Sequence, residues 1–492
     1  MSTVKRYFGF GTVLIILLSL CFSDICAAES TVPYLNYNYS EETGAAEVAP
    51  QAYLPERVIY ASDIGVSDFK DVSDVFYGDD GLLYILDSGN SRVISLNADF
   101  TLNKIFSCAF TDEKGEQKFL SGAKGLFVDD NYIYVADSQN ARILVMNRIS
   151  GELVRVITTP VADVLDEDFI FKPIKLAVDN DGLLYVVSEG TYEGILNLSA
   201  EGEFLCFFGS NTVSTSAWDL FWRRFSTKQQ RKTMVQLIPQ DFSSIAIDSD
   251  GFFLATLYTE QDSSMVKRLN PGGNDIIRKK SRTGIIGDPG RIWDGSLAGT
   301  SSFVDIASGP DNIYACLDYT RGRIFCYDYD GYMIYTFGTL ADQTGGFSSP
   351  TALTYLNDGK IAVLDARNAS VTVFAPTVYG RAINESIHYG RVLDYDNALK
   401  SWQNVLDMNN NFDMAHNEIG QLYYNQEKYE EAAAEFRAAS NKQMYSKAHK
   451  EYQSAWIYDN IYWCCVVVAA AALPVTVFII CRRIRRKRAK IK

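Results

Sequence analysis

VFYGDDGLLYILDSGNSRVISL, residues 75–96, and LFVDDNYIYVADSQNARILVM, residues 126–146, are two copies of one pattern. An apolar stretch enters an acidic turn closed by Gly or Asn, a second apolar stretch ends on Asp, and a third opens on Arg after a polar turn. Asp87 matches Asp137, and Arg92 matches Arg142. Further copies begin at Leu176, Ile245, Ile306 and Leu353, six in all. Six residues after the Gly or Asn of the turn stand Asp87, Asp137, Ser188, Leu257, Asp318 and Asp365, at intervals of 50, 51, 69, 61 and 47. Short apolar strands joined by tight turns make a β-meander. One such sheet cannot bury both faces, whereas six set radially cover one another and leave few exposed edges. The pattern predicts a mainly β chain with a six-bladed β-propeller over residues 61–376. Residues 29–60, rich in Tyr and Pro, offer the strand that closes the ring.

The strings Tyr-x-x-Asp-Ser-x-Asn-x-Arg at residues 84–92 and 134–142, with a variant from Asp318, resemble the NHL repeat family. Ser188 and Leu257 replace the acidic residue in two copies, and no arginine follows Asp365 at the matching place. Asp87, Arg92, Asp137, Arg142, Asp318 and Arg323 read as partners within a blade that satisfy turn backbone, in preference to a ligand site.

The ends of the chain carry targeting signals. Lys5 and Arg6, an apolar run and Cys26-Ala27-Ala28 have the order of a signal peptide over residues 1–28. Leu20 before Cys21 and Ile25 before Cys26 disfavour lipidation, which takes a small residue there. Residues 461–481 hold no charge and are long enough to span a bilayer. The basic tail 482–492 then marks the cytoplasmic side, which puts the rest of the chain outside the membrane. The chain carries −14; with eight positive charges in the tail and one net positive charge in the leader, the segment between holds −23. That acidity excludes nucleic acid as a natural partner. Cys108, Cys206, Cys316 and Cys326 are too few for a disulfide scaffold. For Cys316 and Cys326, on neighbouring strands, both a bond and two buried thiols stay open.

Between propeller and membrane, residues 379–460 change to a helical period. Gly420, Tyr423, Tyr429, Ala432, Phe436 and Ala439 have the spacing that resembles a tetratricopeptide repeat, and Tyr389, Tyr395, Ala398 and Trp402 precede their counterparts by 34 residues. Ser386 stands where Gly is usual, and Met444 where Pro is. Two such units need further cover, which a helix over 446–460 can supply.

Chemistry is sparse. His388, His416 and His449 are the three histidines, all in the helical part, which argues against a His-ligated metal in the propeller. The acids at Asp79-Asp80, Asp129-Asp130 and Asp179 with Asp181 recur in phase with the repeat, the mark of turns. Two insertions, near 207–240 and 275–301, interrupt the ring. The first places Trp218, Phe221 and Trp222 beside Arg223 and Arg224, read as a rim helix or as a partner-binding patch. The second, with Arg278, Lys279 and Lys280, reads as a surface loop or as a lid over the channel mouth.

The order of signal, NHL-like propeller, helical repeats and anchor resembles a group of Gram-positive surface proteins loosely labelled gluconolactonases. The resemblance implies an envelope protein linked to solute or sugar uptake, with transport-system components as partners. The expectation is a non-catalytic binding or scaffold protein for a protein or glycan partner. One alternative is a lactonase-like or lyase-like enzyme using calcium held by carboxylates, and another is a sensor ectodomain.

Overall fold

The computed structural model describes residues 32–112, 114–165, 169–209, 241–258, 265–281, 284–288 and 300–489. The chain forms a six-bladed β-propeller followed by six helices. The first three blades run 72–107, 123–157 and 173–208, each four antiparallel strands in chain order. The fourth has three described strands, Phe242–Ile247, Phe253–Leu257 and Val266–Leu269. The fifth runs 303–337. The sixth takes Pro350–Tyr355, Ile361–Asp365 and Ser370–Pro376 from the end of the ring and Tyr53–Tyr60 from its start. Tyr60 pairs with Ser370 and Tyr53 with Pro376, so the ring is closed by backbone hydrogen bonds between the two ends of the propeller.

Alternating apolar residues on each strand pack blade against blade, and the second strands are buried on both faces, as in Leu83–Asp87 and Ile361–Asp365. Cys316 and Cys326 are free thiols: Cys316 lies opposite Phe325 and Cys326 opposite Ala315, so the two project to opposite sides of the sheet into different core clusters.

Each innermost strand starts at the face that also bears the turns between second and third strands and the connections between blades. We call this the distal face. The opposite face bears the turns between first and second strands. Pro376 ends on that opposite face, and helix α1 (Val378–Arg391) follows at once, capped by Thr377, whose hydroxyl accepts from Gly380 N. Gly380 presses on the Ala52 carbonyl so closely that a Cβ would lie 2.2 Å from its oxygen. Farther along α1, His388 meets Asp311 at 3.1 Å and Arg391 meets Asp250 at 3.2 Å, both in first turns of blades.

Helices α2 (Tyr395–Met408), α3 (Asp413–Asn425) and α4 (Tyr429–Ala438) complete two hairpins. Helix α5 runs Lys442–Asp459, starting four residues before the expected cap segment because the Asn441 side chain caps it by accepting from Met444 N. Helix α6, Ile461–Ala489, contains a stretch, Ile461–Ile484, long and apolar enough to cross a membrane. It continues without a break into the first arginines of the tail.

A hairpin formed by Asn36–Tyr39 and Ala46–Ala49 covers the outer edge of the fifth blade. Asn38 Nδ2 donates to Ile334 O at 2.9 Å, and Thr336 N donates to Asn36 Oδ1 at 2.9 Å, which occupies edge groups that would otherwise stay open. The same hairpin reaches α3, where Glu41 N donates to Asp413 Oδ2 at 2.8 Å.

Candidate functional site

In the distal turns, Arg92 Nε donates to Asp87 Oδ2 at 2.6 Å and Arg142 Nε to Asp137 Oδ2 at 2.8 Å. The other oxygen of each acid accepts an N–H at the start of the innermost strand, Lys70 N and Ser121 N, both at 2.8 Å. Asp365 accepts two such N–H groups, Ser348 N at 2.7 Å and Ser349 N at 3.1 Å, and keeps Asn368 Nδ2 at 2.9 Å where Asn90 and Asn140 stand beside Asp87 and Asp137. Ser188 keeps the bond with its hydroxyl, accepting from Lys172 N at 3.0 Å.

Blade five differs from the expected pairing. Arg323 is Asp318's register partner, but its guanidinium stacks 5.0 Å over the Tyr37 ring. Asp318 instead takes Ser301 Oγ at 2.6 Å and the Arg321 guanidinium at 3.6 Å. The physical reason is that the N-terminal hairpin sets an aromatic ring where Arg323 would otherwise swing back.

The described part of the second insertion touches both faces, with Asp288 N donating to Ser301 Oγ at 2.9 Å beside the distal turn of blade five. Arg278 and Lys280 pair with Asp330 at 3.0 and 2.6 Å, in a turn on the helix-bearing face, away from the distal mouth. In the helical part, Gly420 lets the Phe436 ring approach to 2.9 Å of where a Cβ would stand, with Ala432 and Ala439 buried beside it and Tyr423 packed at the edge. Ser386, at the matching place in α1, stays buried by turning its hydroxyl to Ala382 O at 2.7 Å. Trp218, Phe221, Trp222, Arg223 and Arg224 lie outside the described residues, as does the signal segment.

Sequence reasoning missed the most concentrated chemistry, on the propeller axis. Every innermost strand carries a register shift at its start, and the residue after it is Asp74, Gly125, Lys175, Ser244, Asp305 or Ala352. Lys175 Nζ lies 2.7 Å from Asp74 Oδ1 and 2.9 Å from Asp305 Oδ1. Asp74 Oδ2 accepts Leu126 N at 2.7 Å; Asp305 Oδ2 accepts Leu353 N at 2.9 Å, and Ser244 Oγ donates to Asp305 Oδ1 at 2.6 Å. One network therefore touches all six blades. Where a blade offers only Gly125 or Ala352 to the axis, its next N–H goes to the neighbouring blade's carboxylate.

Both carboxylates are almost fully buried. Burial pushes Asp74 up to about 6; Lys175 pulls it down and Asp305 pushes it further up. For Lys175, burial alone would lower the ammonium's pKa, but Asp305 and Asp74 more than reverse this and hold the charge. The available signal was phase: each of these residues directly precedes a repeat copy, yet their differing types hide the relation.

Above this network, Glu189, Tyr258 and Tyr319 occupy matching positions of blades three, four and five, one residue past the acidic site. The two tyrosines are 47% and 51% exposed. Burial raises the Tyr258 hydroxyl's pKa, and Glu189, Asp305 and Asp241 raise it further. Asp241 is itself pushed up by burial, eased by an N–H from Gly190 and worsened by Glu189 and Glu193. Lys124 meets Glu189 at 2.9 Å. The corresponding places in blades one, two and six hold Ser88, Ser138 and Ala366. Among the described residues, this position is acidic or aromatic only in blades three, four and five. Among the described residues, no group of three or more His, Cys, Asp or Glu side chains is placed to hold a metal ion.

The class these features define is a six-bladed propeller with C-terminal helical hairpins and one candidate membrane-spanning helix. No family model matches the chain, and no curated protein matches it. Among solved structures it is similar to a streptogramin B lyase, at 11% identity and TM-score 0.37, over 66% of this chain and 98% of that one. A virginiamycin B lyase from Staphylococcus aureus matches at 9% identity and TM-score 0.39, over 65% and 98%. A structural genomics protein from Bacteroides thetaiotaomicron matches at 15% identity and TM-score 0.41, over 68% and 80%. Likeness at this level carries no argument about chemistry.

Proposed function

We propose that this chain is a membrane-anchored, extracytoplasmic binding or scaffold protein whose NHL-like propeller recognises a protein or glycan partner of the envelope or of a solute-uptake system. The tetratricopeptide-like hairpins serve as a stalk. The observation that carries the reading is the division of the two propeller faces. The helices that lead to the anchor pack on one face, through His388–Asp311 and Arg391–Asp250. The chain flanking residues 210–240 and 289–299 and the exposed Tyr258 and Tyr319 belong to the other. An anchor on one side leaves the opposite side free to meet a partner, and exposed aromatics beside charge are the composition of binding hot spots. In this reading Trp218, Phe221, Trp222, Arg223 and Arg224 take part in the same recognition.

The test is crosslinking in native membranes, affinity purification of the tagged full chain and mass spectrometry, with W222A and Y258A/Y319A forms alongside. A discrete partner captured by the native chain and lost in either variant supports recognition at the distal rim. A partner kept by both variants moves recognition elsewhere, and none from any form turns the question to lactonase activity with calcium.

A further inference from the structure

We propose that the propeller axis is a cation site whose cation is the chain's own Lys175: the ammonium stands where a divalent metal ion would otherwise be bound, so the ring is closed without metal. Three observations converge. Asp74 Oδ1 and Asp305 Oδ1 lie 2.7 and 2.9 Å from one Nζ. Ser244 Oγ, bonded to Asp305 Oδ1 at 2.6 Å, adds a third oxygen to the same cluster. These are hard oxygen donors of the kind that hold Ca²⁺ or Mg²⁺, ions that complete their coordination with water.

The cage is also held in place without its cation. The second oxygen of each carboxylate is fixed by a backbone N–H of the next blade, Leu126 to Asp74 and Leu353 to Asp305, and Val75 N adds a bond to Asp74 Oδ1 at 2.9 Å. The carboxylates therefore cannot turn away when the ammonium is removed. Charge points the same way. Two carboxylates and one ammonium leave one excess negative charge, whereas a dication in the same place would leave none. A buried pair stripped of its cation is strongly disfavoured, so the vacated site takes up a proton or a replacement cation, and a dication neutralises both carboxylates at once.

The inference does not depend on the recognition reading. Its test uses the purified full-length protein in detergent, treated with chelator, and follows thermal unfolding and calorimetric titration with CaCl2 and with MgCl2. The native chain is expected to unfold at the same temperature with chelator and with either salt. K175A is expected to unfold several degrees lower in chelator and to recover most of that loss, saturably, with at least one salt. K175A/D305N is expected to lose the recovery. D74N, which keeps Lys175 and a single carboxylate partner, is expected to fold and to ignore both salts.

A K175A protein that gains nothing from either ion, whether folded or recovered only as aggregate, overturns the proposal. A native chain that responds as strongly as K175A overturns it too, because the ion then binds with Lys175 in place. A metal response in D74N would likewise put the ion elsewhere.

Discussion

Asp137 shows what the repeated acid does: one oxygen takes Ser121 N, the other takes Asn140 and Arg142, and the side chain is fully buried. Removing it strands a guanidinium and a backbone donor together. D137A is therefore expected to lose about 3–5 kcal/mol of unfolding free energy, the scale of a broken buried ion pair. S188A, which gives up one neutral acceptor, should lose only about 1–2 kcal/mol in the same urea titration. Comparable losses in the two variants would contradict this account of the turn. At this scale Asp87 and Asp137 were legible with their arginines, because the partners are five residues apart in one hairpin. Arg323 was not, since its stacking partner Tyr37 comes from a distant hairpin. Nor were Asp74, Lys175 and Asp305: Lys175 lies 101 residues after Asp74 and 130 before Asp305, and the three meet only when the ring closes.

The joint between propeller and helices is the element on which pH should act. Burial pushes Asp328 in blade five up to about 8 and Glu418 in α3 up to about 7, with Asp330 adding to both. Lys280 offsets part of the effect at Glu418. Both groups hold protons in the folded state that an unfolded chain releases near pH 4. Their contribution is thus fully present at acidic pH and is lost as pH rises towards 7 and 8. Unfolding free energy is expected to fall by several kcal/mol between pH 5 and pH 8, about 1.4 kcal/mol per pH unit for each group while only the folded state holds the proton, and E418Q should flatten that slope. A slope unchanged in E418Q would remove Glu418 as its source. The contact that starts α1 is steric: G380A, whose Cβ would sit 2.2 Å from Ala52 O, should lower the unfolding temperature by an overpacking cost of about 2 kcal/mol or more. The helical period and the small residues Gly420 and Ala432 were readable from spacing alone. The docking of α1 on the blades was not, because Gly380, His388 and Arg391 carry no periodic signal and their partners belong to other elements.

For the whole molecule, the proposed topology sets the propeller outside and the basic tail inside. Cys206 is exposed on the outer strand of blade three, while Cys108, Cys316 and Cys326 are buried. A membrane-impermeant maleimide added to intact cells should label the protein through Cys206, and C206S should lose most of that label. Labelling of Cys206 only after permeabilisation would reverse the orientation. The sequence by itself determined the mainly β ring of six, the change to helices after it and a terminal apolar helix of spanning length. Each is a matter of period, count or run length, and those are local properties of a chain. Tertiary structure alone decided that Lys175 is clasped by two carboxylates on the axis, that Cys316 and Cys326 face opposite cores, and that Tyr258 and Tyr319 stand exposed on adjacent blades at the distal mouth. Those facts depend on which blades become neighbours and which way each strand's side chains point, and closure of the ring sets both.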